Sequence, residues 1–433
     1  MEALISLALV VALFVVLGSG LWIGLSLLAV ALVGMELFTQ RPVGDSMMLT
    51  IWGSTSSWTL TALPLFLWMG EILFRSKLSD DMFKGLAPWL DRLPGRLLHT
   101  NVVGCTIFAA ISGSSVATAL TIGAVAIPQM VRYGYEPKAA YGLVAAGGTL
   151  GILIPPSGPM VLYGVTTDTS IGGLFMAGVV PGLLMAAVFI AWSMTSTAIA
   201  HRHIPREARA SLREALVAIR KALWALSLPV FVLGGMYAGM FTATEAAAAG
   251  AWLALLVAVL IYRTVRLRAI WDSAVDACRV SAMLFMILAG ASVFGHVLTK
   301  MRIPQQIVET VIAADIGVAG FLIVMMALIF VLGMFLESIS IILITTPVIM
   351  PAMAHLQINP IWYGVLLVIN LELAQITPPV GMNLFTIKAI TGSPMGPIVR
   401  GAAPYVGLMV LVLAMIMIWP QIALWLPSTM LAK

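Results

Sequence analysis

Long apolar runs, each closed by a short polar interval, cover most of the chain. Roughly 20 apolar residues suffice for a helix to cross a bilayer. Segments of that character lie at about 3–18, 20–38, 58–76, 137–168, 172–198, 224–241, 244–262, 282–298, 360–391 and 395–428. Two further stretches, about 100–132 and 316–353, are long enough to enter and return, and both carry small, polar or helix-breaking residues near the middle. Three intervals, KLSDDMFKGLAPWLDRLPGRLL, IPREARASLREALVAIRKAL and YRTVRLRAIWDSAVDACRV, alternate charged and apolar residues at helical spacing. That pattern predicts amphipathic helices lying flat at the membrane surface. The opening MEALISLALVVALF has no basic leader and no clear cleavage site, so it reads as the first span.

Composition agrees. Hydrophobic residues make up 61% of the 433 residues and charged residues only 9%, against about 25% charged in soluble domains. The fold class is an all-α polytopic membrane protein; the runs are too long and unbroken for the alternating strands of a membrane barrel. The net charge of +5 does not indicate a nucleic-acid partner, because the basic residues sit in short loops where membrane orientation explains them. With the N-terminus outside and both long stretches re-entrant, inner loops collect residues from Arg75, Lys77, Lys84, Arg92 and Arg96 to Arg263, Arg266 and Arg268. The outer side keeps little beyond Arg41, Lys300, Arg302 and Lys433. This puts hairpin 100–132 on the cytoplasmic side and hairpin 316–353 on the outer side. Cys105 and Cys278 read as small hydrophobes, and no Cys/His spacing suits a resident metal. HExxH, P-loop and GxSxG motifs are absent, so no enzyme activity and no cofactor is expected.

The chain repeats itself. A shift of 223 residues aligns 112–183 with 335–406 without a gap and makes fifteen of the 72 positions identical. Pro128, Pro137, Pro155, Pro156 and Pro181 fall on Pro351, Pro360, Pro378, Pro379 and Pro404. LGILIPPSG at 150–158 thus has a twin, LAQITPPVG at 373–381. Each half runs hairpin, proline turn, broken span, long span. An odd number of crossings separates equivalent points, which predicts two halves of opposite orientation, the inverted repeat of secondary transporters. Breaking a helix at mid-membrane frees carbonyls, which ligate hard cations, and amides, which favour anions.

The polar residues inside the apolar runs are few. AAISGSSVATAL (109–120) brings Ser112, Ser114, Ser115 and Thr118 to the first hairpin, and GMFLESISIILITTP (333–347) brings Glu337 to the second. An ionisable residue at membrane depth needs a partner or a wet cavity. Glu71, Asp168, Glu245 and Glu372 are the other acids near span ends or interiors. FTATEAAAAGA (241–251) reads first as a helix-capping sequence, and Glu372, which aligns with Thr149, stands close to the second break.

GTLGILIPPSGPMVLYGVTTDTSIGGLFMAGVVPGLL (148–184), with FAAISGSSVATA, FTATEAAAAGAW and ITPPVGMNLF, resembles the large membrane subunit of TRAP transporters, the DctM-type family. The resemblance covers essentially the whole chain. It implies sodium-driven uptake of an organic acid anion (a C4-dicarboxylate, sialic acid, another sugar acid or a 2-oxo acid) across a bacterial inner membrane. It implies two partners, a small four-helix membrane subunit on a separate chain and a periplasmic substrate-binding protein. It also implies an elevator fold whose hairpins and broken helices move together. Carried over by motif, a first sodium site uses Ser112, Ser115, Gly151, Ile154 and Pro156, and a second uses Gly333, Ala374, Thr377 and Val380. Ser114, Thr149, Glu337 and Asn383 are assigned to substrate. The expected division is 1–57 as scaffold, 58–200 as the first repeat, 201–281 as arms and scaffold, and 282–433 as the second repeat. The competing readings are a stand-alone sodium- or proton-coupled anion transporter of similar fold, and a membrane scaffold or enzyme subunit that moves no solute.

Overall fold

The computed structural model describes residues 2–38, 42–76, 85–86, 88–89, 97–199, 212–263 and 266–430. The basic residues Lys77, Lys84, Arg92, Arg96, Arg202, Arg206 and Arg209 lie outside them. The described chain is helical. The helices are α1 (Glu2–Gly18), α2 (Ile23–Phe38), α3 (Val43–Thr55), α4 (Ala62–Arg75), α5 (Leu97–Ser112), α6 (Ser115–Arg132), α7 (Pro137–Leu153), α8 (Gly158–Thr166), α9 (Ile171–Ile199) and α10 (Leu212–Tyr237). They continue as α11 (Ala243–Leu256), α12 (Leu267–Lys300), α13 (Ile303–Ala313), α14 (Val318–Gly333), α15 (Ser338–His355), α16 (Pro360–Gln375), α17 (Met382–Thr391), α18 (Met395–Ile418) and α19 (Gln421–Ser428). Among the described residues seven helical segments, with α7 and α8 counted as one, are long and apolar enough to cross a membrane, or eight with the bent pair α3–α4 taken as one span.

Prolines set the helix boundaries. Pro137 and Pro360 start α7 and α16 at the position where a missing N–H leaves nothing unpaired. Asn359 caps α16, its Oδ1 accepting from the Ile361 and Trp362 amides at 2.9 and 3.2 Å. Ile154, before Pro155, is held extended at φ −87°, ψ 119°, because the proline ring excludes the helical conformation from its predecessor. Helix α7 therefore stops, and α8 restarts at Gly158. In the second half Gly381, at φ +55°, turns the chain from the break into α17.

The packing is reciprocal. Helix α7 is buried along nearly its whole length, under α5 and α6 on one side and α18 of the other half on another. Helix α16 stands likewise under α14 and against α9. Helix α6 packs on α17, and its counterpart α15 packs on α8. Small residues allow the closest crossing: a Cβ on Gly142 of α7 would lie 1.9 Å from the Gly401 carbonyl of α18. Outside this core, α12 runs along α2, α3 and α4. There Arg75 of α4 pairs with Glu71 at 3.6 Å and with Asp276 of α12.

Four elements differ from the sequence expectation. Helix α3 lies between the expected spans 20–38 and 58–76, where no span is expected, and joins α4 across a 58° bend. The segment 262–280 does not form a separate surface helix, since α12 runs unbroken from Leu267 to Lys300 and contains the span expected at 282–298. In the same way α10 starts at Leu212 and continues through the span expected at 224–241. The last expected span, 395–428, divides at Trp419–Pro420 into α18 and α19, because proline cannot continue the hydrogen-bond ladder.

Candidate functional site

A helical N–H donates to the carbonyl four residues earlier. Pro155 and Pro156 therefore withhold the donors that would serve Gly151 and Ile152, and Pro378 and Pro379 withhold those for Ala374 and Gln375. In the second break the Thr377 amide reaches back to the Ala374 carbonyl at 3.1 Å. Both proline pairs contain a cis peptide bond.

The first hairpin tip, Gly113–Ser114, lies directly on the first break. A Cβ on Gly113 would come 2.6 Å from the Pro156 carbonyl, and one on Gly151 would come 2.4 Å from the Ser114 carbonyl and 2.8 Å from Ser115 Cα. Only glycine permits this approach, and Gly113 also needs its left-handed φ of +60°. Ser114 caps α6, its Oγ accepting from the Ala117 amide at 3.3 Å. Ser112 Oγ lies 2.9 Å from Thr118 Oγ1, which donates to the Ser114 carbonyl at 2.8 Å. Thus Ser112, Ser114, Ser115, Gly151 and Pro156 are brought together. Ile154 lies between Gly151 and Pro156 in the chain but packs its side chain against Gly182 of α9. Helix α4 closes over this tip, with Leu63, Phe66 and Leu67 facing Ser112, Gly113 and Pro156.

The second tip is more open. Gly333 meets Ala374 so closely that a Cβ on the glycine would lie 2.6 Å from the alanine methyl. Gly333, Glu337 and Val380 line one cavity of about 390 Å³, closed on its other side by Leu17, Leu21 and Ile23. Glu337 caps α15, its Oε2 accepting from the Ser340 amide at 3.4 Å. Thr377 turns its hydroxyl back to the Leu373 carbonyl at 2.7 Å.

Two residues assigned to substrate are buried between helices. Thr149 is buried; its hydroxyl donates to the Ala146 carbonyl of its own helix at 2.6 Å and stands 3.8 Å from the Met409 sulfur. Asn383 is fully buried and reaches the first half, where Nδ2 donates to Ser115 Oγ at 2.9 Å and lies 3.4 Å from the Ala145 carbonyl. The same hydroxyl donates to Glu372 Oε2 at 2.8 Å, with the Gly148 carbonyl at 3.1 Å. The sequence signal for Glu372 was present, an acid inside the apolar run of α16, but nothing local tied it to Ser115.

A larger cleft of about 1100 Å³ lies away from both tips, between the α3–α4 bend, the α8–α9 turn and the α10–α11 turn. Its rim carries Asp168 and the Thr242–Glu245 capping pair. Sequence reasoning did not find it, because its walls come from three distant loops.

Residues 10–422 match the family model described as "Tripartite ATP-independent periplasmic transporter, DctM component". The C4-dicarboxylate TRAP transporter large permease protein DctM of Pseudomonas aeruginosa is 39% identical, over 88% of this chain and 89% of that protein. The isethionate TRAP transporter permease protein DctMQ of Oleidesulfovibrio alaskensis is 34% identical over 96% of this chain, which spans 65% of that longer protein. In fold, the chain resembles the crystal structure of the Alcanivorax borkumensis YdaH transporter, with a TM-score of 0.66, 14% identity, and coverage of 92% of this chain and 97% of that one.

Proposed function

The chain belongs to the DctM family, the large permease subunit of tripartite ATP-independent periplasmic transporters, and from that premise we propose that it imports an organic acid anion coupled to sodium by an elevator motion. It is a transporter permease and not an enzyme, as its relatives are. The observation that carries the proposal is the meeting of a hairpin tip with a proline-paired helix break in the first half, and the second tip and its break facing one cavity in the other.

The reasoning follows from hydrogen-bond accounting. A buried carbonyl that loses its helical donor costs about 1–3 kcal/mol unless another group replaces it; the Thr377 amide serves the Ala374 carbonyl in part, and the remaining oxygens at the two breaks call for a further partner. A hard cation supplies it, because carbonyl and hydroxyl oxygens replace its hydration shell. The first sodium site takes the Ser112 and Ser115 hydroxyls with the main chain of Gly151, Ile154 and Pro156. The second takes main-chain oxygens of Gly333, Ala374, Thr377 and Val380. The buried hydroxyls and proline-freed carbonyls fit such an ion. The anion lies between the tips, with Ser114 and Glu337 at its border. Cations bound beside it offset its charge during passage through low dielectric.

The halves, 58–200 and 282–433, are read as inverted copies. Their hairpins and broken helices form the moving part, held by the scaffold of 1–57 and 201–281. The name DctMQ on a longer relative supports a small membrane subunit as one partner, and the family description "tripartite" supports a periplasmic substrate-binding protein as another. A bacterial inner membrane is the matching location. The deciding experiment reconstitutes the chain with its small subunit in proteoliposomes and supplies labelled organic acids on their binding protein. Uptake that requires an inward sodium gradient supports the proposal; uptake indifferent to sodium refutes the coupling.

A further inference from the structure

Glu372 lies inside α16 with 1% of its surface exposed. Its Oε2 accepts the Ser115 hydroxyl at 2.8 Å, while Oε1 has no hydrogen-bond partner. Among the described residues no Lys, Arg or His forms an ion pair with it. Asn383 donates to the same Ser115 oxygen at 2.9 Å and leaves its own Oδ1 without a partner. A lone carboxylate in a dry interior is among the most expensive groups a protein can hold, unless a positive charge stands beside it.

The Ser115 hydroxyl has one proton and two lone pairs. Its proton goes to the carboxylate, which is nearer than the Gly148 carbonyl (2.8 against 3.1 Å) and the stronger acceptor. One lone pair takes the Asn383 N–H. No donor among the hydrogen bonds of Ser115 takes the second, and the Gly148 carbonyl stands 3.1 Å from the same oxygen. The equivalent serine of the other half, Ser338, is held differently: Gln375 Nε2, a neutral amide, donates to it at 2.7 Å. An ionisable side chain backs the first serine and a neutral amide the second.

We propose that Glu372 is the positioning residue and counter-charge of the first sodium site, orienting the Ser115 lone pair toward the cation and neutralising it from outside the ligand ring. This rests on the reading of that site given under Proposed function. One consequence is that a site made of first-half ligands is completed by the second half, through Glu372 and Asn383. Cation binding there ties the hairpin helix α6 to α16 and α17.

The test uses the chain in complex with its small membrane subunit, purified in detergent. The readout is the sodium-dependent rise of the thermal midpoint at constant ionic strength, with choline replacing sodium. Glu372→Gln keeps the shape and removes the charge. The half-saturating sodium concentration is expected to rise about tenfold or more, while the sodium-free midpoint is unchanged or higher. Glu372→Asp keeps the charge one methylene further back and is expected to give a smaller rise. A Glu372→Gln half-saturation within about twofold of the parent overturns the proposal. If that variant yields no folded complex, Glu372→Asp decides, and an unshifted response overturns the proposal. Ser112→Ala separates the two levels of inference. If it leaves the sodium response unaltered, the site itself is refuted and the role of Glu372 with it. If Ser112→Ala shifts the response and Glu372→Gln does not, only the role of Glu372 is lost.

Discussion

The Ser115 hydroxyl and the Glu372 carboxylate are 257 positions apart in the chain and 2.8 Å apart in space. The contact fastens the first hairpin to the broken helix of the other half, where both groups are buried. Ser115→Ala removes the hydroxyl that holds Oε2 and leaves the Asn383 amide without that acceptor. The expected loss is about 1–3 kcal/mol of stability, read as a lower thermal midpoint in detergent. Sodium-driven uptake in proteoliposomes should fall with it. A variant with parental midpoint and parental uptake would show that the network is idle.

The approach of Gly151 to the Ser114 carbonyl gives a sharper test, because it depends on space alone. A methyl group at 151 would lie 2.4 Å from a main-chain oxygen, which no side-chain movement relieves. Gly151→Ala is therefore expected to push the tip off the break and reduce uptake at least tenfold or so. Gly407, on α18, has nothing within 4 Å of its Cβ position. Gly407→Ala should leave uptake near the parental level and stabilise the helix by about 0.5–1 kcal/mol. Equal losses in both variants would mean that the contact between tip and break has no special part.

Much of this arrangement was legible in the sequence, for identifiable reasons. Proline acts locally, so the boundaries at Pro137, Pro155, Pro360 and Pro378 followed from the chain itself, and the 223-residue shift carried one half onto the other. With that shift, α6 (Ser115–Arg132) lands on α15 (Ser338–His355) residue for residue. Helix continuity across the charged intervals was not legible. The charges of Arg268, Asp272, Asp276 and Arg279 suggested a flat amphipathic helix, yet they decorate the first turns of α12, where Asp276 answers Arg75 of α4. Helix α3 is short and mixed in polarity, VGDSMMLTIWGST, so it carried no signal of a span. The Glu372–Ser115–Asn383 network joins three segments, and no periodicity encodes a contact of that kind.

Glu245 illustrates an acid whose bland reading is the right one. Its Oε2 accepts the Thr242 amide at 2.8 Å, and Thr242 Oγ1 accepts the Glu245 amide at 3.4 Å, a reciprocal cap on α11. Thr242→Ala should cost about 1 kcal/mol of stability. Because the box stands on the rim of the large cleft, away from both hairpin tips, the sodium half-saturation of uptake should not move. A sodium shift without a stability change would instead make the cleft part of the ion path.

The proline pairs decide the central question. Pro155→Ala with Pro156→Ala returns two N–H donors to reach the Gly151 and Ile152 carbonyls, and Pro378→Ala with Pro379→Ala does the same for Ala374 and Gln375. If the prolines only bend helices, the repaired helices should be at least as stable and uptake should survive, since each restored bond contributes about 0.5–1.5 kcal/mol. If the freed carbonyls hold cations, either repair should weaken sodium-dependent stabilisation and abolish coupled uptake while the folded complex remains. The two pairs should also be equivalent in this respect, because one transport step needs both breaks. The measurement is the sodium titration of the thermal midpoint for each double variant beside uptake in proteoliposomes. Retained sodium dependence in both would leave the duplicated breaks without a role in coupling.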